Sequence, residues 1–403
     1  MSHLHRRQVL KLMGSSSLAA ALPTSVFAAE GARAAHTLVI VYQRGGMDGL
    51  SALVPFADSE YYLKRTTAAV PRPGSTGGAL DLDGSFGLHP ALAPLKTFWD
   101  RGQLAAVPAT GLTTPSRSHF DAQDFMERAW LSQGQVFTGW LNRYLSAKAG
   151  AGQTFRAVAL GTAVPRSLSG PEATIGLSSI ASFDVQSRSA RKTQSFDALE
   201  AQFTTSNLVE TTATRAFGAI DELKALNAGA LAVENGATYP NTDFGRRLTD
   251  IARLIKRDVG LEIATVDIGG WDTHDNQANR LQTLFTEFAG GLAAFATDLG
   301  AAFNRVTVIT MTEFGRRVQQ NASAGTDHGR ASTMFALGGR VNGKRLYGEW
   351  PTLAPNRLED GDLRVTTDYR SVLAEALVKQ MGNPDLAQVF PGFTGTPLSG
   401  MFA

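Results

Sequence analysis

Cysteine is absent from all 403 residues. That excludes a disulfide framework, thiolate metal ligands and a cysteine nucleophile. It does not place the chain in a reducing compartment, because an oxidising one permits disulfides without requiring them. Outside the N-terminal segment there is no apolar run long enough to cross a bilayer, so no membrane span is expected in the mature chain. No internal repeat is present, which sets aside solenoids and propellers. A surplus of positive charge is also missing once the N-terminus is read on its own terms. His5-Arg6-Arg7-Gln8-Val9-Leu10-Lys11 forms a twin-arginine pattern. A mildly apolar stretch follows over 12–22, and Val26-Phe27-Ala28 offers a small-residue cleavage site. Residues 1–28 therefore read as a twin-arginine signal peptide, with the twin-arginine translocase as partner during export and a periplasmic or secreted destination. Arg6, Arg7 and Lys11 leave with it and no acid does, so 35 basic side chains face 36 acidic ones, a net of −1 in place of +2. Nucleic-acid binding needs a clustered positive surface and is not expected.

The full chain has an ordinary globular composition, 43% hydrophobic and 18% charged. Apolar runs of strand length lie at 37–42, 104–109, 155–160, 262–268, 306–311 and 333–337. Between them fall helical stripes. Ala122, Phe125, Met126 and Ala129 make one, and Leu248, Ile251, Ala252 and Ile255 a second. Leu281, Leu284, Phe285, Phe288, Leu292, Phe295 and Leu299 make a long third, and 372–381 a last one. Strands alternating with helices predict an α/β fold, a mostly parallel sheet with helices on both faces in three α/β/α layers. Residues 36–403 read as a single domain. The pattern weakens over 165–241, where Ser and Thr are dense and a helix is expected near 213–226; this stretch reads as an insertion or lid.

Polar motifs follow the strands. Asp48 and Arg44 come after the first, Ser118 and His119 after the second, Asp272 and His274 after the fourth, and Glu313 after the fifth. Asp327-His328-Gly329 closes the loop that Glu313 opens. Parallel strands would gather these loops at one edge, where ligands of such sheets sit. Carboxylates and imidazoles delivered there are the parts of a metal or acid–base site. Asp272 and His274 are two apart, so in extended chain both point to one side. Ser118 opens a helix and, with Asp121 three residues on, also reads as an N-cap. Arg44, Arg117, Arg316 and Arg330 flank the loops and could clamp an oxyanion. His89, in Gly87-Leu88-His89-Pro90, reads as structural.

Six motifs appear in order: QRGGMDGLSALVP, LHPALAPL, SRSHFDAQDFME, GGWDTHDNQ, TEFGRR and TDHGRAS. Together, over nearly the whole mature chain, they resemble a large bacterial family of twin-arginine-exported proteins, the domain of unknown function fifteen-oh-one. That family is regarded as similar to the alkaline phosphatase and sulfatase superfamily. The resemblance implies a three-layer fold, one or two divalent metals (zinc, calcium, magnesium or manganese) and a Ser, Thr or formylglycine nucleophile acting on phosphate or sulfate esters. Asp48 would match the carboxylate ligand after the first strand, and Ser118 the nucleophile region. Asp272 and His274 would match the mid-chain ligands, and either Glu313 or Asp327-His328 the late pair. Two-metal members carry a further histidine, and none follows His328; one metal, or His119 or His89 as substitute ligand, is expected instead. Thr113-Thr114-Pro115-Ser116-Arg117 mimics the sulfatase nucleophile sequence, but threonine cannot become the aldehyde hydrate. Thr113 stays open as a direct nucleophile behind Ser118.

The expectation is an exported metal-dependent hydrolase of phosphate or sulfate esters, acting on a small-molecule or polymer substrate. Ser118, Thr113 or a water would be the nucleophile, with His119 or His274 in proton transfer. The alternative is a non-catalytic binding or assembly protein of the envelope that keeps the fold with an incomplete metal site.

Overall fold

Strand β1 (Thr37–Gln43) is buried along its whole length. Alternate side chains serve opposite cores, Leu38, Ile40 and Tyr42 on one face and Val39 and Val41 on the other. Such a continuous apolar run is what a central parallel strand covered on both faces requires. The computed structural model describes residues 34–132, 136–148, 154–181, 218–219 and 232–403. Residues 1–28 and most of 165–241, including nearly all of the helix expected near 213–226, lie outside the described residues.

The other strands of the main sheet are β2 (Leu104–Gly111), β3 (Ala157–Leu160), β4 (Ile175–Leu177), β5 (Ile263–Ile268), β6 (Val306–Met311) and β7 (Ser332–Gly338), with two-residue strands β8 (Arg345–Leu346) and β9 (Thr367–Asp368). Their order in space is β8-β2-β7-β6-β1-β5-β3-β4, and β9 also pairs with β2. β1 runs parallel to both β5 and β6. β7 is antiparallel to β2 and to β6, so β2 points the same way as β6 and β1. The expected three-layer, mostly parallel architecture is present, with β7 as the reversed strand. The stretch expected as an insertion supplies the edge strand β4.

Helices α1 (Ala93–Asp100), α4 (Asp243–Lys256) and α5 (Gln277–Leu299) pack against the Val39 face, and α2 (His119–Arg128), α3 (Trp140–Ala147) and α6 (Tyr369–Gln380) against the Ile40 face. The α5 stripe buries Leu281, Phe285, Phe288, Leu292, Phe295 and Leu299. Each such side chain contributes about 1.5–3 kcal/mol of burial. α3 carries a short stripe of Trp140, Leu141, Tyr144 and Leu145, and its polar Asn142 and Arg143 are buried with it. Arg143 donates to the carbonyls of Val389 and Arg128, and Asn142 to those of Leu168 and Glu172, which offsets the cost of burying them. A third apolar cluster of Leu50, Val54, Tyr61, Val318 and Ala331 ties the loops together near a small antiparallel sheet. Among the described residues no helix is long and apolar enough to cross a membrane.

Candidate functional site

β1, β2, β5 and β6 run the same way, so their carboxyl ends deliver four loops to one edge. The loop after β1 supplies the floor. Gly45 has φ +120, and a Cβ there would lie 2.6 Å from the backbone N of Asp272. Only glycine fits that close approach to the loop after β5, and a Cβ on Gly46 would meet the Phe314 ring at 2.6 Å.

On this floor stand three imidazoles and one carboxylate. His119, Asp272 and His328 each offer a ligand atom, all within 4.8 Å of one another. His274 is not one of that trio but lies against two of its members, its Nε2 3.0 Å from Asp272 Oδ1 and 3.0 Å from His328 Nε2. His328 Nε2 lies 3.1 Å from the same Asp272 oxygen, and His119 Nε2 3.5 Å from Asp272 Oδ2. Their side chains are 21–45% exposed, so the cluster opens to solvent.

The opposite ring nitrogens fix the tautomers. His328 Nδ1 faces the carbonyl of Arg117 at 2.9 Å, and a carbonyl only accepts, so the proton sits on Nδ1. His274 Nδ1 faces Asp327 Oδ1 at 3.0 Å, and His119 Nδ1 faces Glu313 Oε1 at 2.8 Å. Both acids are held ionised. Burial pushes Glu313 up, but hydrogen bonds from His119, Gln123 and the Gly45 backbone outweigh it and lower its pKa. Hydrogen bonds from Asn321 and then His274 lower that of Asp327. In the neutral rings all three Nε2 atoms therefore turn lone pairs toward Asp272. Two such atoms 3.0 Å apart repel unless a proton or a metal ion lies between them. His119 Nε2 is buried without a hydrogen-bond partner. Imidazoles whose far N–H is held by a carboxylate or carbonyl are the usual dress of metal-binding histidines. Three imidazole nitrogens and a carboxylate suit zinc or a similar transition ion better than calcium or magnesium.

Asp272 is anchored from below. Partial burial raises its pKa, but the Arg316 guanidinium, 2.5 Å from Oδ1, and then His328 bring it to about 2.

The remaining expected residues stand around this cluster in other roles. Glu313 and Asp327 do not face the cluster centre; they orient His119 and His274. Asp48 is fully buried, with its oxygens taken by Arg65, Ser51 at 2.6 Å and Gln277 at 2.7 Å. Arg316 is buried and donates to the carbonyls of Gly45, Gly46, Trp271 and Thr326 as well as to Asp272. Arg44 pairs with Asp267 and Glu127, and Arg330 with Glu359 and the carbonyls of Leu112 and Thr113. Arg117 alone of the four keeps a largely exposed side chain, 47%, while pairing with Asp362. Ser118 is the N-cap of α2, accepting from Asp121 N at 3.4 Å, and Thr113 is exposed in the loop before it. Among the described residues neither hydroxyl is hydrogen-bonded to the cluster. His89 accepts from Ala91 N at 3.1 Å and packs on Phe285, so of these two histidines His119 is the one beside Asp272 and His328.

Sequence reasoning missed Gln123, Asn321, Gln277 and Arg65. Gln123 carries a signal in hindsight, four residues after His119 and so on the same helix face. Its Nε2 donates to Glu313 Oε1 at 2.8 Å. Replacing Glu313 with Gln should weaken metal binding about 10–100-fold, because the neutral amide holds His119 Nδ1–H less strongly. Chelator competition on the purified variant reads this directly.

The family described as "Protein of unknown function (DUF1501)" matches residues 35–397. No curated protein matches the chain. Among solved structures, the lipoteichoic acid synthase LtaP from Listeria monocytogenes is similar at 7% identity, covering 90% of this chain and 81% of that one, with a TM-score of 0.33. The alkaline phosphatase from the Antarctic bacterium TAB5 is similar at 10% identity over 75% of this chain and 91% of its own, with a TM-score of 0.28. Both are distant likenesses.

Proposed function

The chain belongs to the family described as protein of unknown function (DUF1501), and we propose that it is an exported metal-dependent hydrolase of phosphate or sulfate esters. The observation that carries the metal is the set of three Nε2 atoms aimed at the Asp272 carboxylate with their Nδ1 protons engaged behind them. His119, Asp272, His274 and His328 would hold one divalent ion, zinc by the chemistry of the donor set. Such an ion would polarise the ester and lower the pKa of the attacking hydroxyl or water. The exposed rim favours an anionic substrate, with the cationic Arg117 and the hydroxyls of Ser118 and Thr113 on the strand-to-helix loop that leads to His119. Ser118 caps α2 with a lone pair, which leaves its proton free to be lost on attack. The twin-arginine segment would export the chain folded and loaded to the periplasm or beyond.

Commitment of Arg44, Arg316 and Arg330 to structural partners favours a second reading, an envelope metal-binding protein without catalysis. One experiment separates them. Protein purified from the exported fraction is assayed for metal and for release of nitrophenol from aryl phosphate, bis-aryl phosphate and aryl sulfate, before and after chelation. The hydrolase reading expects one equivalent of metal and turnover that chelator abolishes and zinc restores. Bound metal without turnover selects the second reading. Protein that takes up no metal and is inert to all three esters overturns the proposal.

A further inference from the structure

Two ligand-bearing segments lie side by side at the site, Asp272-Thr273-His274 and Thr326-Asp327-His328. In each, the threonine turns inward, Thr273 between the cluster residues Asp272 and His274 and Thr326 two residues before His328. Thr273 and Thr326 are both fully buried. Their hydroxyls meet on one atom, Gln277 Oε1, at 3.0 Å from Thr273 Oγ1 and 2.5 Å from Thr326 Oγ1. Gln277 is the first residue of α5 and is 1% exposed. Its amide can be oriented only one way. The other end, Nε2, lies 2.7 Å from Asp48 Oδ2, and a carboxylate cannot donate, so Nε2 must, which leaves Oε1 to accept from the two threonines. Asp48 is fixed in turn by the buried Arg65, whose guanidinium also donates to the carbonyls of Arg317 and Val318. The backbone bond from Thr326 N to Thr273 O, at 3.2 Å, joins the same two segments.

We propose that Gln277 is a positioning residue for the metal centre: by accepting from Thr273 and Thr326 it sets the spacing between the histidines that follow them, His274 and His328. This rests on the metal reading above. Gln277 touches no ligand itself. It acts through the threonine between Asp272 and His274 and through the one two residues before His328. The arrangement also gives Asp48 a function: it is the ionised anchor that orients the Gln277 amide. The ligands are then held at their spacing before metal arrives, and binding does not have to order them.

The test uses cobalt(II), whose visible bands report coordination geometry. Full-length purified protein is stripped of metal and titrated with cobalt. Thr273→Val and Thr326→Val each remove one hydroxyl from Gln277 Oε1, and each should weaken cobalt binding about tenfold or more and shift the visible bands, in the range seen for outer partners of metal ligands. Thr273→Ser and Thr326→Ser keep the hydroxyl and should restore wild-type affinity and bands. In a Gln277→Met background the Thr→Val changes should have almost no further effect, because the shared acceptor is gone. Gln277→Met also releases Asp48, so the single threonine pairs carry the decision should that variant fold poorly. Valine variants that bind cobalt like the wild type overturn the inference, and so do serine variants as impaired as the valines, which general loosening of the fold would produce. A wild-type chain that takes up no cobalt overturns the metal reading and this inference with it.

Discussion

His328→Ala is expected to weaken zinc binding by two to three orders of magnitude while leaving the chain folded. Four-ligand zinc sites provide roughly 10–16 kcal/mol of apparent binding free energy near neutral pH. One ligand of four is then about 2.5–4 kcal/mol, and each factor of ten is about 1.4 kcal/mol. His328 is the clean residue to remove. Its side chain is 21% exposed, and outside the cluster the ring packs on Phe314 and donates from Nδ1 to the carbonyl of Arg117. Asp272→Ala would also strip a carboxylate from the buried Arg316, and so would mix ligand loss with strain in the loops. Chelator competition gives the affinity, and thermal melting of the metal-free protein checks the fold. Affinity should also fall as pH is lowered. The carboxylate of Glu313, through its hydrogen bond and charge, raises the pKa of His119, so a proton competes for that ring at higher pH than for an ordinary histidine. Unchanged zinc affinity in His328→Ala would remove this cluster as the binding site, and any ester turnover would then need another explanation.

Much of the frame is legible in the sequence because its causes are local. The runs at 37–42 and 306–311 hold only apolar residues and threonine, and every residue is buried because both sheet faces are covered; they are strands where expected. The long α5 stripe shows itself because one face is buried and the other is not. The reversed direction of β7 is not legible, since a five-residue apolar run reads the same in either direction. The roles within the site divide along the same line. That the loops carrying His119, Asp272, His274 and His328 should meet follows from strand direction. Which acids face the cluster depends on partners far away in the chain. Asp48 looks like a ligand until Arg65, 17 residues on, and Gln277, 229 residues on, are placed against it. Glu313 sits at a strand end like any ligand carboxylate, but its side chain turns beneath the cluster to meet His119 Nδ1, Gln123 and the Gly45 amide. The arginines mislead for a related reason. A guanidinium near a loop is as suited to carbonyl oxygens as to an oxyanion, and Arg316 meets four carbonyls.

Asp48→Ala should destabilise the fold by about 3–5 kcal/mol, the cost of leaving a buried partner charge uncompensated. Both members of the Asp48–Arg65 pair are fully buried. Burial alone would raise the Asp48 pKa, but Arg65, with Ser51 and Arg316 behind it, holds it below the ordinary value. A lowered folded-state pKa gives stability that is present above the unfolded value of about 3.9 and is lost as pH falls through the lower folded value. Asp48→Asn should therefore be less stable than wild type at neutral pH, with the gap narrowing in acid as the wild type loses the same charge. Replacing both partners tests the pair. Asp48→Leu with Arg65→Met removes two buried charges together, and such a change is often neutral or stabilising where either single change is severe. Denaturant midpoints of metal-free protein should thus place the double variant above both singles. A ligand aspartate predicts the reverse pattern. Its loss would abolish metal uptake with little effect on the metal-free chain, and removing Arg65 would not rescue it.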